Sequence, residues 1–289
     1  VANGLFAQRG WTFAPVFGAT LRDDYAAEFR DVDFKDGPGT RKLINDWVAA
    51  KTKDRIQDIV PPGLPLPDTR LALANAIHFK AQWAEPFQER ATQDKPFTVA
   101  PGNVVSARLM ARTGGLAYAE TDDARLVELP YQGGATSMVV VLPKANDGLD
   151  AVVKALTPAR LDAALAALAH RRVALELPKF SFTTSLDATS LLRALGVRAA
   201  FAADAADFSG ITTEEPLFIG TVLHKAFVAV DEAGTEAAAA TVVMMRAGSA
   251  MRPDAPTPFV VDHPFLFLIR HRGTGAVLFA GRVVDPTKG

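Results

Sequence analysis

Apolar and polar positions recur along this chain at two periods, near two residues in some stretches and near three and a half in others. Ala2–Gln8 is an apolar, strand-like run, and Phe29–Phe34 alternates as a strand does. Between them, Ala14–Tyr25 follows the helical period, with Pro15 near its start, where a missing N–H does no harm. Leu43, Trp47 and Val48 fall at helical spacing with Ile44 alongside, so residues 41–56 predict a helix. Thr40 is its candidate N-cap and Pro61-Pro62-Gly63 its stop. Leu71–Phe79 predicts a buried central strand, and Leu116–Glu120, Arg125–Leu129 and Ser137–Leu142 predict three more with Gly- or Asp-rich turns between them. Leu149–Leu156 and Pro158–Ala169 predict short helices. Val173–Phe182 is extended, with Pro178 marking a bend or an edge. Leu186–Leu195 predicts a helix stopped by Gly196, and Leu217–Val230 a long strand. No repeat or low-complexity segment divides the sequence, so the pattern predicts one α+β domain over residues 1–289.

Asp231–Ser249 fits both periods. It holds no charge between Glu236 and Arg246, and Ala237, Ala238, Ala239 and Ala240 stand in a row. Glu, Ala and Met favour helix, which gives a short surface helix as one reading. As a strand, the same residues place Thr235, Ala237, Ala239, Thr241 and Val243 on one face, and Glu236, Ala238, Ala240, Val242 and Met244 on the other. Side chains this small could enter a crowded sheet without overpacking it.

Composition narrows the function classes. The 289 residues are 49% hydrophobic and 22% charged, as packed globular proteins are. A net charge of −1 gives no reason to expect nucleic acid or a membrane as partner, and no apolar run is long enough to span a bilayer. The absence of cysteine excludes disulfides, thiol catalysis and thiolate metal sites. His78, His170, His224, His263 and His271 are scattered without metal-ligand spacing, so neither metal nor cofactor is expected. With no G-x-S-x-G elbow, H-E-x-x-H or phosphate loop, the sequence nominates no catalytic residue and reads as a non-enzyme. The basic clusters His170-Arg171-Arg172 and Arg270-His271-Arg272 read as solvated turns, as do the acidic pairs Asp122-Asp123 and Glu214-Glu215.

Three segments carry a specific likeness. LHKAFVAVDEAGTEAAAAT at Leu223–Thr241, DHPFLFLIR at Asp262–Arg270 and GAVLFAGRVVDP at Gly275–Pro286 resemble, in order and spacing, the C-terminal third of the serpin family. INDWVAAKTKDRI resembles the serpin helix that lies across the main sheet. LALANAIHFKAQW, at Leu71–Trp83, resembles the family's LxNAxxFKGxW strand and turn, with Ala81 where glycine is common. The resemblance runs from residue 1 to residue 289. Serpins carry several helices and a buried strand ahead of this point, so the chain reads as N-terminally truncated, with no signal segment of its own.

The resemblance implies a mixed multi-sheet fold with an exposed reactive loop, and inhibition of serine proteases by loop cleavage followed by insertion of the loop into the main sheet, a release of stored strain. The compartment stays open, with an extracytoplasmic or secreted setting favoured over others. The hinge is Glu232, Gly234, Thr235, Glu236, Ala237, Ala238, Ala239 and Ala240. In the family the hinge glutamate stands sixteen residues before the specificity residue; counting from Glu232 puts the reactive bond at Gly248–Ser249. A small Gly248 favours an elastase- or subtilisin-like protease, Arg246 would suit a trypsin-like one, and Met245 or Met251 a chymotrypsin-like one. Asn75 and His224 match the shutter, where sheet strands part, and are expected to be buried and to need hydrogen-bond partners. Trp83 matches the breach, where the loop first enters. Thr235 is expected to be the first loop side chain to turn inward on insertion. The alternatives are a non-inhibitory serpin-like binding module or a non-functional fragment.

Overall fold

The computed structural model describes residues 2–235 and 255–288. They form two compact units, each visited twice by the chain: residues 1–78 with 183–227, and residues 79–182 with 228–289.

The first unit opens on β1 (Ala2–Gln8), followed by α1 (Pro15–Asp23), β2 (Glu28–Val32), α2 (Gly37–Lys51) and β3 (Leu71–His78). β1 pairs with β2 in parallel and with β3 antiparallel, Asn3 lying opposite Asn75. Gly4 has no side chain because the Trp47 ring of α2 lies over it; a Cβ there would come within 2.8 Å of that ring. Phe6 meets Trp47 edge-on at 5.5 Å. Two readings of α2 are corrected. Its N-cap is Asp36, whose Oδ1 accepts from the Gly39 amide at 3.0 Å, while Thr40 lies inside the helix and donates to the Asp33 carbonyl. The helix ends ten residues before Pro61, at Lys51, where Thr52 folds its hydroxyl back onto the Val48 carbonyl at 2.8 Å. Ile44, Trp47 and Val48 are buried, but Leu43 is 38% exposed.

The second unit starts with β4 (Ala81–Gln82), β5 (Gln93–Ala100), β6 (Asn103–Glu120), β7 (Ala124–Pro130), β8 (Thr136–Pro143), α3 (Leu149–Ala155), α4 (Pro158–Ala166) and β9 (Ala169–Pro178). β10 (Phe180–Asp187) carries the chain back to the first unit, through α5 (Thr189–Ala194) and into β11 (Leu223–Val230). Then come β12 (Gly234–Thr235), β13 (Thr257–Val260), β14 (Phe265–His271) and β15 (Val277–Val283). Within the first unit, β11 pairs in parallel with β3 through Lys225–Ala76, Ala226–Ile77 and Phe227–His78. Within the second, strands run in the order β13-β9-β6-β7-β8-β14-β15, with β5 on β6.

That large sheet has a core on each face. Along β7 and β8, Val127, Leu129, Met138, Val140 and Leu142 pack one way with Phe97, Phe259, Phe265 and Phe267. Leu126, Val139 and Val141 pack the other way, with Leu149 and Val152 of α3 and Ala164 of α4. The expected strand at Leu116–Glu120 is the end of the 18-residue β6. Gly114-Gly115 does not break it: Gly115 is small because the His170 ring of β9 stands 2.4 Å from where a Cβ would be. The expected helix at Leu186–Leu195 shrinks to Thr189–Ala194, since Leu186 and Asp187 finish β10; Gly196, at φ +99°, follows it. The strand expected from Leu217 begins only at Leu223.

Candidate functional site

Asp231 begins a tight reversal between β11 and β12. Its Oδ1 accepts from the amides of Ala233 at 2.9 Å and Gly234 at 3.1 Å, and its own amide donates to the Gly234 carbonyl at 2.9 Å. This side chain-to-backbone turn lets Thr235 pair antiparallel with Val230. On the other side β12 pairs antiparallel with β4, Gly234 with Gln82 and Thr235 with Ala81. The approach is close enough to require glycine: a Cβ on residue 234 would stand 2.1 Å from the Ala81 carbonyl oxygen.

Three donors hold the reversal's carbonyls. The Trp83 indole N–H reaches Asp231 at 3.0 Å, the Phe87 amide reaches Glu232 at 2.9 Å and the Trp83 amide reaches Ala233 at 2.9 Å. Trp83 is 1% exposed, stacked face to face on Tyr131 with ring centres 4.6 Å apart and planes 8° apart. Phe79 meets the same Tyr131 ring edge-on at 5.0 Å. The Tyr131 and Thr235 hydroxyls share a 2.6 Å hydrogen bond, and neither residue has exposed surface. Burial pushes the phenol's pKa up; the bond to Thr235 opposes this only in part.

Glu232 is 8% exposed. Its carboxylate accepts from Lys179 Nζ at 2.6 Å and from Thr92 Oγ1 at 2.7 Å. Burial works to raise its pKa, but the hydrogen bonds from Lys179 and Thr92 outweigh burial and the net direction is down. The carboxylate is therefore held ionised as a buried, doubly tied anchor.

The structure thus brings together Trp83, Glu232, Gly234 and Thr235. It also corrects the timing expected of Thr235, whose side chain is already buried here, because Gly234 lets β12 lie against both β4 and β11. Tyr131, Lys179, Thr92 and Asp231 were not anticipated. Tyr131 is the residue after β7 and Lys179 stands between β9 and β10, so neither falls on a periodic face. The signal available was the charge complementarity of Lys179 and Glu232, which no spacing rule links across 53 residues.

Asn75 and His224 lie in the first unit, one step ahead of the Ala76–Lys225 pair, and so side by side on β3 and β11. The expectation of burial is corrected for Asn75, which is exposed, and His224 is half-buried. Asn75 Nδ2 donates to Asn3 Oδ1 at 2.7 Å, and Asn3 Nδ2 to the Tyr25 carbonyl at 2.6 Å, a row across the β3–β1 ladder. Glu236, Ala237, Ala238, Ala239, Ala240, Met245, Arg246, Gly248, Ser249 and Met251 lie outside the described residues.

The basic clusters stand on strands, except Arg272, which falls in the turn after β14. His170, Arg171 and Arg172 belong to β9, with the Arg171 guanidinium 5.7 Å from the Tyr118 ring. Arg270 of β14 donates to buried Glu128 at 2.7 and 3.0 Å. Among the acidic pairs, Asp123 accepts from Arg160 at 2.6 Å and Glu214 from the Thr12 amide at 2.7 Å. Among the described residues no group of three or more His, Asp or Glu could hold a metal ion, and no helix is long and apolar enough to cross a membrane.

Comparison with known proteins gives a consistent result. The family model described as Serpin (serine protease inhibitor) matches residues 1–286. An uncharacterized serpin-like protein of Thermococcus kodakarensis is 38% identical over 288 residues, 99% of this chain and 66% of that protein. The leukocyte elastase inhibitor of Equus caballus is 36% identical over 295 residues, 99% of this chain and 77% of that protein. Thyroxine-binding globulin in complex with thyroxine superposes with a TM-score of 0.87 at 28% identity, covering 99% of this chain and 75% of that one. The chain thus spans about two thirds to three quarters of the proteins it resembles.

Proposed function

The chain belongs to the serpin family, and from that premise we propose that it inhibits a serine protease as a suicide substrate. The target's serine hydroxyl adds to the Gly248 carbonyl carbon, the C–N bond to Ser249 breaks, and the proton passes through the target's histidine to the departing amine. An ester then joins the target's serine to Gly248. The severed loop, from Thr235 to about Arg246, enters between β3 and β11 as a new strand and draws the acylated protease with it before water can hydrolyse the ester.

The observation that carries this reading is the position of Thr235. It is a strand residue between β11 and β4, the first rung that an inserting loop would need. Where β3 and β11 pair directly at Ala76–His78 and Lys225–Phe227, no strand lies between them. A paired Thr235 and a β3–β11 pair with no strand between support a loop that has yet to insert. About a dozen inserted residues, at roughly 0.5–1.5 kcal/mol per hydrogen bond, give on the order of 5–15 kcal/mol. That compares with the roughly 5–15 kcal/mol that keeps a protease domain folded, so insertion can distort an active site. The uncut chain is then kinetically held above its most stable form.

The chain also resembles thyroxine-binding globulin in complex with thyroxine, so likeness of fold alone does not choose inhibition. The hinge supports it: after Thr235 come Glu236 and four alanines, with no proline or bulky side chain to block a strand. Gly248 favours an elastase- or subtilisin-like target, in keeping with the name of the leukocyte elastase inhibitor.

The test is incubation with elastase-, subtilisin-, trypsin- and chymotrypsin-like proteases, read as an SDS-stable complex with mass spectrometry of the released peptide. The expected cut is Gly248–Ser249, and cleavage without any stable complex would sink the reading. Two variants sharpen the test. Ala237→Arg places a charge on the inward face of the inserting strand, where burial without a partner costs several kcal/mol; it is expected to be cleaved without trapping. Glu236→Arg, on the outward face, is expected to trap as the parent does. Thr235→Arg is unsuitable, because that side chain is buried before any cleavage.

A further inference from the structure

We propose that Tyr131 is a positioning residue for this reaction: its buried hydroxyl pins Thr235, so that the strand that follows can enter in one register only. The consequence for trapping rests on the inhibitory reading above; the pin itself does not.

The need for a pin is written in the sequence. A strand gains its register from side chains that fit one set of neighbours and no other, and a run of alanines offers none. Beyond Glu236 the loop presents four identical small residues. A strand started with those alone could slide along β11 at almost no cost.

The structure supplies the missing specification in two adjacent residues. The first is Gly234. Any side chain moved into its place would stand 2.1 Å from the Ala81 carbonyl oxygen, so shifting the chain by one or two residues in either direction puts a Cβ against backbone. The second is Thr235. A one-residue slip would also turn its side chain to the opposite face. A two-residue slip keeps the face but brings Ala233 or Ala237 to the seat, and neither carries a hydroxyl. Tyr131 would then have its phenol buried without a partner, which the interior penalises. On the inward face, the next residue able to answer it is Thr241, six positions on.

Tyr131 is suited to act as a fixed point because Thr235 does not position it. Trp83 stacks on one face of its ring and Phe79 meets it edge-on. Its amide donates to the Thr136 carbonyl at 3.0 Å. These contacts set the place of the hydroxyl, which lies 2.6 Å from Thr235 Oγ1.

The experiment compares the parent with Tyr131→Phe, Thr235→Val and Thr235→Ser. Phe keeps the stack and loses the hydroxyl, Val keeps the shape of Thr and loses its hydroxyl, and Ser keeps the hydroxyl. Two readouts are taken: amide hydrogen exchange at Gly234 and Thr235 in the uncut chain, and the number of chains consumed per protease trapped, alongside the rate of loop cleavage. Tyr131→Phe and Thr235→Val are expected to exchange about 3- to 10-fold faster, as loss of one net hydrogen bond requires. They are expected to consume several-fold more inhibitor per trapped protease at an unchanged cleavage rate, with Thr235→Ser close to the parent. Unchanged exchange in Tyr131→Phe overturns the pin, as does a Thr235→Ser variant as impaired as Thr235→Val, which would assign the effect to packing. If the parent traps no protease, the inhibitory reading fails and exchange in the uncut chain still decides the pin. If the parent traps and exchange shifts while consumption does not, the positioning role is overturned.

Discussion

At the root of the loop, Thr235 and Tyr131 have no exposed surface and Glu232 has 8%; around the proposed shutter, Asn75 is exposed and His224 half-buried. The root is tied by charge, by stacked rings and by backbone bonds to side chains. The shutter strands are joined by three ladder pairs, Lys225–Ala76, Ala226–Ile77 and Phe227–His78, and Asn75 turns its amide sideways to Asn3. A region that must stay put through a strand insertion is best made of interactions that are costly to leave unmade. A region whose strands must separate is best made of ladder bonds that an incoming strand can replace one for one. The contrast predicts that stability is concentrated at the root.

Four substitutions put that contrast at risk, in order of expected effect. Trp83→Ala removes a buried indole, the stack on Tyr131 and the donor to the Asp231 carbonyl, and is expected to lower unfolding stability by about 3–5 kcal/mol in a urea titration. Gly234→Ala forces a methyl toward the Ala81 carbonyl and is expected to cost about 1–3 kcal/mol. Glu232→Gln leaves Lys179, itself 33% exposed, without its anion, for an expected loss of about 1–2 kcal/mol. Asn75→Ala removes an exposed hydrogen bond and is expected to shift stability by less than about 0.5 kcal/mol. If Asn75→Ala destabilised as much as Gly234→Ala, the difference between root and shutter would not exist.

The Glu232 contribution also carries a pH signature. The pKa of Glu232 is depressed in the folded chain, so its contribution is fully present above the ordinary carboxylate value of about 4.3. That contribution is lost as pH falls through the depressed value, where the folded anion takes up a proton. Thermal melts of the parent and Glu232→Gln are therefore expected to differ by a constant amount above about pH 5 and to converge on acidification. Curves that stay parallel into acid would show that the Lys179 bond does not depend on the charge of Glu232.

What the sequence disclosed follows from how local each signal was. β1 at Ala2–Gln8 was legible as a short apolar run, and α3 at Leu149–Ala155 because Leu149, Val152 and Val153 keep the helical period. The ends of α2 were not. Asp36 and Thr40 both have capping side chains, and only the Gly39 amide near Asp36 decides between them. The strand ending at Glu120 was expected to start only at Leu116, because the reason for a glycine at 115, the His170 ring, lies 55 residues away. The same holds at the site. The hinge residues and Trp83 were reached through family resemblance, because Ala-rich sequence alone favours helix over strand. Tyr131 and Lys179 were missed because their partners, Thr235 and Glu232, lie 104 and 53 residues further on.

The Trp83–Tyr131 stack has an optical consequence. The chain holds three tryptophans: Trp11 is half-buried, Trp47 packs on β1, and Trp83 lies in the root with its indole N–H on a carbonyl and a phenol face against its ring. An indole closed off from water emits toward the blue, and one pressed against another ring is sensitive to any change in that overlap. The excited state of Trp83 therefore reports the footing of the loop without an added label. In a chain whose other two tryptophans were replaced by phenylalanine, the colour and lifetime of the remaining emission would follow the footing in real time while a protease works on the loop.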